Sequence, residues 1–220
     1  MKTYIITGYY GSGKTEFCLN FALDMRKKFN GEISIADLDI INPYFRSREK
    51  AEELKKYNIE VIGNSLSNNT GQDIPAVSLG FLSGTNDNKC LILDLAGSEN
   101  GLNVLAGCYD IIDDYELLCV LNMYRPETDT KEKMINFINS VNKTCKLPVT
   151  GIINNSHMLH ETEPVHILDS QKLIIEVCKQ TSLRFKYTQI KASVHEQIKD
   201  EIKSENILIF DKLKMREDWQ

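Results

Sequence analysis

One tryptophan and five prolines occur in 220 residues, and no run approaches the roughly 18 consecutive apolar residues that a membrane-crossing helix needs. A membrane span is therefore not expected. The apolar run at the amino end covers residues 4–7 and stops at Gly8, too soon for a signal peptide. The six cysteines are scattered, with no C-x-x-C pair. Most sit inside apolar patterns, where a free thiol behaves as a small hydrophobe. That arrangement excludes a disulfide framework or a four-cysteine metal site and points to a reduced, cytoplasmic setting. Basic residues do not predominate: 26 Lys and Arg stand against 31 Asp and Glu, for a net charge of −5. Such a balance argues against a general nucleic-acid or membrane-surface binder. No internal repeat, low-complexity tail or Pro/Gly/Ser-rich linker divides the chain, so residues 1–220 are expected to form a single domain.

What the chain does contain is an alternation of β-type apolar runs with helical patterns. Strands are predicted over residues 4–7, 33–37, 59–62, 90–94, 117–122, 149–154, 185–191 and 207–210. Helices are predicted over residues 16–28, 46–57, 131–142, 164–180 and 194–204. Near-continuous apolarity at 90–93 and 117–121 suits strands buried on both faces. The expected fold class is α/β: a three-layer α/β/α sandwich around a mostly parallel sheet of about seven to eight strands. The polar stretch 63–73 (GNSLSNNTGQD) is expected to be a loop.

Between the first predicted strand and the first predicted helix stands GYYGSGKT, residues 8–15, which fits the pattern G-x-x-x-x-G-K-[ST]. Strand before and helix after is the context in which that pattern carries chemistry. Glycines at Gly8, Gly11 and Gly13 let the loop's amides, Ser12 among them, converge on phosphate oxygens. The helix N-terminus adds its partial positive charge. Lys14 is expected to reach the β- and γ-phosphates, Thr15 to ligate Mg²⁺, and Glu16 to belong to the same cradle through the helix's first turn.

Two acidic strand ends complete the expectation. Asp94 closes residues 91–94 and begins D-x-x-G, ending at Gly97, whose amide can sense a γ-phosphate. Asp37 and Asp39 close the second strand on one side of it, so one can serve an attacking water and the other can support Mg²⁺. The following IINPYFRSRE, residues 40–49, carries Arg46 and Arg48, either phosphate-facing or merely solvated. The Gly- and Ser-containing stretch 95–107 is read as a switch loop that reorganises with the γ-phosphate. His157 and His160 are read as solvated loop histidines, since no third ligand stands near them. No arginine stands in an evident finger position, so slow intrinsic turnover is expected.

The phosphate loop, DLDIINPYFRSRE (residues 37–49) and Asp94 with Gly97 together resemble the MinD/ParA/CobQ-like group of signal-recognition-particle-type P-loop NTPases, in particular its smaller ATP-binding members. Similar pieces recur at 73–76 (DIPA), 120–126 (VLNMYRP) and 151–155 (GIINN), so the likeness runs over about residues 1–165. The resemblance implies that Asn154 or Asn155 contacts the base, that Asp39 is a catalytic residue beside Lys14, and that Asp39, Asp94 and Thr15 form the metal set. It implies a Mg²⁺-dependent ATPase acting as a nucleotide switch with a protein partner or as a homodimer. Tyr9 stands where such proteins often carry a second lysine that reaches the partner subunit's nucleotide. The loop is also similar to that of CobW-type GTPases, but no N-K-x-D string is present to select guanine, so ATP is expected over GTP. A nucleotide-sensing module with little hydrolysis, and a small-molecule kinase, are the alternative readings.

Overall fold

The computed structural model describes residues 1–38, 50–62, 88–107 and 109–215. Asp39, Arg46, Arg48 and the polar stretch 63–73 lie outside them. All eight predicted strands are present. They are β1 (Lys2–Gly8), β2 (Glu32–Asp37), β3 (Ile59–Ile62), β4 (Lys89–Ala96), β5 (Tyr115–Leu121), β6 (Gly151–Asn154), β7 (Arg184–Lys191) and β8 (Asn206–Phe210). They form one sheet in the order β3-β2-β4-β1-β5-β6-β7-β8, and every adjacent pair is parallel. The helices are α1 (Lys14–Lys28), α2 (Ala51–Lys55), α3 (Glu99–Ala106), α4 (Lys131–Cys145), α5 (Pro164–Thr181) and α6 (Ala192–Ile198).

Strand periodicity sorts the core into two layers. Ile5, Leu91, Leu93, Leu117 and Cys119 point to one face, where they meet Leu102 and Leu105 of α3, Met134 and Phe137 of α4 and Ile174 of α5. The alternate residues Tyr4, Ile6, Ile92, Leu118 and Val120 point to the other face and pack on Phe17, Phe21 and Ala22 of α1. Because β1, β4 and β5 are covered on both sides, both sets of alternate residues must be apolar, which is why these strands read as continuous runs.

Several elements differ from expectation, α4 among them, which runs on to Cys145. The stretch 95–107 is not a loop: Leu95 and Ala96 finish β4, and Glu99–Ala106 is helical. Leu102 and Leu105, three apart and fully buried, are its core anchors, and the Ser98 hydroxyl accepts from the Gly101 amide at 3.4 Å. Glycine weakens a helix on propensity. Here, however, a β-carbon on Gly101 would stand 2.5 Å from that of Ala96, so the close packing of α3 on β4 accounts for it. Helix α6 stops at Ile198 rather than near 204, because the Gln171 amide takes over the backbone beyond it. Its Nε2 donates to the Glu201 carbonyl at 2.9 Å, and its Oε1 accepts from the Lys203 amide at 2.6 Å. Strand β6 begins at Gly151, two residues later than expected, since the Val149 amide donates to the Asn142 side chain instead.

Candidate functional site

Polar residues cluster at the carboxyl ends of the strands. Ser12, Lys14, Asp37, Asp94, Asn122 and Asn155 are all buried there. In an open parallel sheet this is the edge at which a ligand crevice forms, beside the strand where the winding direction reverses. Strand β1 occupies that place, with β4 on one side and β5 on the other.

The loop leaving β1 adopts the geometry that its glycines permit. Gly11 has φ +74° and Gly13 φ +80°, both left-handed, a conformation that side chains disfavour. Gly13 is the N-cap of α1, and no side chain caps the helix. The first-turn amides of Thr15 and Glu16 thus have no side-chain cap. Phe17 N donates to Gly13 O at 2.9 Å and closes the first turn. Gly8 ends β1, and a β-carbon on Gly97 would stand 2.4 Å from the Gly8 carbonyl oxygen, so the chain leaving β4 presses against the start of the loop.

Lys14 and Thr15 are buried at the base of α1. Asp37 ends β2 in register with Asp94, two residues before the end of β4, and Leu38 N donates to Asp94 O at 2.9 Å. One turn into α1, Cys18 reports their field. Burial first, then the negative charges of Asp94 and Asp37, push its thiol well above the ordinary cysteine range, and the Lys14 ammonium opposes them. Lys14 and the two carboxylates therefore lie within electrostatic reach of Cys18, and Thr15 follows Lys14 in the chain. A hydroxyl with carboxylates is an all-oxygen donor set of the kind Mg²⁺ takes. Asp37 was legible only as one of a pair of strand-end acids; the β2–β4 register sets it beside Asp94.

A cavity of about 440 Å³ opens beside the loop, within the roughly 300–1,000 Å³ range of small-molecule sites. Gly11, Gly13, Lys14 and Thr15 line it, together with Asn155, Ile190 and Leu213. Of the two asparagines at the end of β6, only Asn155 lines it. Its Nδ2 donates to the Ser12 carbonyl at 2.8 Å and abuts Gly13. Asn154 turns away: its Nδ2 donates to Ser170 Oγ at 2.9 Å, and its Oδ1 accepts from Ser156 N. Glu16 also spends its side chain elsewhere. The carboxylate accepts from the backbone amides of Lys214 and Met215 and from Asn20 Nδ2, at 2.8–3.0 Å, which ties α1 to the carboxyl-terminal segment.

Three further residues at the loop escaped sequence reasoning. Tyr9 turns inward, its ring 4.5 Å from that of Phe137, whereas Tyr10 is exposed at the cavity mouth. His157 is not a solvated histidine: it lines the cavity beside Gly13, and burial, aided by the charge of Arg125, pushes its pKa down to about 4. Arg125 reaches the loop itself, its Nε donating to the Gly11 carbonyl at 2.9 Å. The available signal was its place just after a central strand, where side chains meet the carboxyl edge of the sheet.

Solved structures share this architecture. FtsY of Thermotoga maritima superposes with a TM-score of 0.57 at 20% identity, over 86% of this chain and 61% of its own. Chloroplast FtsY of Physcomitrella patens gives 0.57 at 18%, over 85% of this chain and 57% of its own. A nucleotide-binding protein of Archaeoglobus fulgidus, in complex with ADP, gives 0.52 at 15%, over 85% and 80%. The fold is that of a P-loop NTPase. The chain spans about three-fifths of the length of the two FtsY proteins. No protein-family model matches the sequence. No curated protein matches it either.

Proposed function

We propose that this chain binds a Mg²⁺-nucleoside triphosphate, ATP in preference to GTP, and hydrolyses it slowly as a nucleotide switch. The observation that carries the reading is the uncapped start of α1. Two left-handed glycines lead into it beside the cavity, and Lys14, Thr15, Asp37 and Asp94 are buried. That is a preorganised anion site joined to an oxygen donor set. ADP in the Archaeoglobus fulgidus protein supports nucleotide as the ligand class. The motif resemblance to MinD/ParA/CobQ-like ATPases supports ATP and a protein partner or homodimer.

On this reading the loop amides and the Lys14 ammonium take up charge on the β- and γ-phosphates. Thr15 and Asp94 would hold Mg²⁺, which supplies further neutralisation there, and Asp37 supports them from the neighbouring strand. Asp39, two residues past the end of β2 in the sequence, orients the attacking water. Phosphoryl transfer of this kind needs positioning and electrostatics rather than covalent chemistry.

Calorimetry and phosphate release on three proteins test it. Lys14→Ala is expected to lose nucleotide binding while remaining folded, and Asp39→Ala to bind as the wild type does but without turnover. Unchanged ATP affinity in folded Lys14→Ala would defeat the site assignment. Phosphate release that appears only with an added metabolite would turn the reading toward a kinase, and tight binding with no release toward a sensing module.

A further inference from the structure

Arg125 is placed with unusual care for a side chain in a connecting turn. The Asn122 carbonyl accepts from the Arg125 amide at 3.1 Å and from Thr128 Oγ1 at 2.6 Å. The Asn122 Oδ1 accepts from Tyr124 N at 2.9 Å, and the Arg125 carbonyl accepts from Thr128 N at 2.9 Å. Ser156, after β6, anchors the same turn by accepting from Met123 N at 2.9 Å. This turn delivers the guanidinium against Gly11, where its Nε and Cζ atoms would stand 3.2 and 3.4 Å from a β-carbon. Gly11 therefore leaves room for a cation as well as for its own left-handed backbone.

The hydrogen bond to Gly11 uses only Nε, leaving both Nη groups for another ligand. Among the described residues no carboxylate stands within ion-pair distance of Arg125, although acids pair with lysines elsewhere, as Asp129 does with Lys133 at 2.8 Å. A guanidinium held at a half-buried position without a counter-ion is a costly arrangement unless an anion completes it. The cavity it lines is the one walled by Gly13, Lys14 and Thr15.

We propose that Arg125 is a phosphate-contacting cation supplied in cis: its Nε–Gly11 bond fixes the guanidinium, and its Nη groups bind oxygens of the nucleotide's phosphate chain. The proposal rests on the nucleotide-binding reading above. It replaces the expectation that no arginine stands in a finger position. Arginine suits the task because its fork is planar and permanently charged, so one edge can be spent on positioning while the other binds the anion.

The test compares wild type, Arg125→Gln and Arg125→Lys by titration with Mg²⁺-ADP and Mg²⁺-ATP at low and high salt, each protein first checked for cooperative thermal unfolding. Gln keeps an N–H for the Gly11 carbonyl and drops the charge; Lys keeps the charge. A phosphate contact predicts that Gln weakens binding about tenfold or more. Lys should recover part of that loss, and the difference between Lys and Gln should shrink with added salt. Equal affinities for wild type and Gln, or a Gln variant binding as well as Lys or better, would reduce Arg125 to a brace for the loop and overturn the proposal. If Arg125→Gln does not fold, Arg125→Met decides: affinity and salt dependence identical to wild type also overturn it. Failure of the wild type to bind either nucleotide would instead defeat the nucleotide-binding reading, so the two failures are distinguishable.

Discussion

At the scale of single residues, burial sets chemistry more than identity does. His157 is in a short connection, yet desolvation and the neighbouring Arg125 charge bring its pKa from an ordinary 6.5 down to about 4. The folded protein thus holds it neutral where the unfolded chain would protonate it. Its Nδ1 accepts from Leu159 N at a long 3.4 Å, which leaves Nε2 as the protonated nitrogen near Gly13. The linkage sign follows. Below pH 6.5 the unfolded state binds a proton that the native state refuses, so stability is complete above that pH and falls as pH drops toward 4. Thermal melts from pH 7 to 4 should show a shallower loss for His157→Asn than for the wild type. Parallel curves would mean that His157 titrates normally in the folded protein.

At the scale of elements, the most consequential contact joins α1 to the carboxyl-terminal segment. Glu16 follows the Lys14-Thr15 pair directly, and its carboxylate takes the amides of Lys214 and Met215. Met215 is buried with Phe17 and Phe21 in the layer beneath α1, so polar and apolar contacts hold the segment together. Hydrogen bonds to a charged group contribute about 1.5–3 kcal/mol, and losing the acceptor strands buried donors. Glu16→Ala should therefore lower stability by about 2 kcal/mol and remove hydrogen-exchange protection at Lys214 and Met215. Protection that persists there would show that the apolar packing of Met215 holds the segment alone. Leu213 and Met215 also line the cavity, so the segment forms part of the candidate ligand's surroundings.

At the scale of the whole molecule, the all-parallel sheet decides where a ligand can act on stability. Residues from the loop after β1, α1, the turn after β5, the connection after β6, β7 and the segment after β8 meet at the cavity only in the folded state. A ligand that binds them stabilises the native state by mass action, by about 2.7 kcal/mol at a concentration one hundred times its dissociation constant. Mg²⁺-ATP should accordingly raise the melting temperature of the wild type in a concentration-dependent way, and more than Mg²⁺-GTP does. Lys14→Ala should show no such shift. An equal shift with the two nucleotides would remove the base preference while leaving phosphate recognition in place.

The sequence alone specified the strands, the central ones most clearly, because a strand buried on both faces has to be apolar at every position, as residues 90–93 and 117–121 are. It also specified the phosphate loop, whose glycines answer to local backbone geometry and whose Lys14 and Thr15 follow at fixed spacing. Local rules failed where the decisive partner was distant in the chain. Helix α3 depends on Ala96 admitting Gly101, α6 ends because Gln171 captures the backbone at 201 and 203, and Glu16 answers to residues almost two hundred positions away. Asp37 meets Asp94, and Arg125 meets Gly11, only because parallel crossovers bring separate strand ends to one edge. Periodicity and turn chemistry act between near neighbours and can be read along the chain. Contacts made by folding the sheet upon its helices depend on the closed structure, and only that structure decided them.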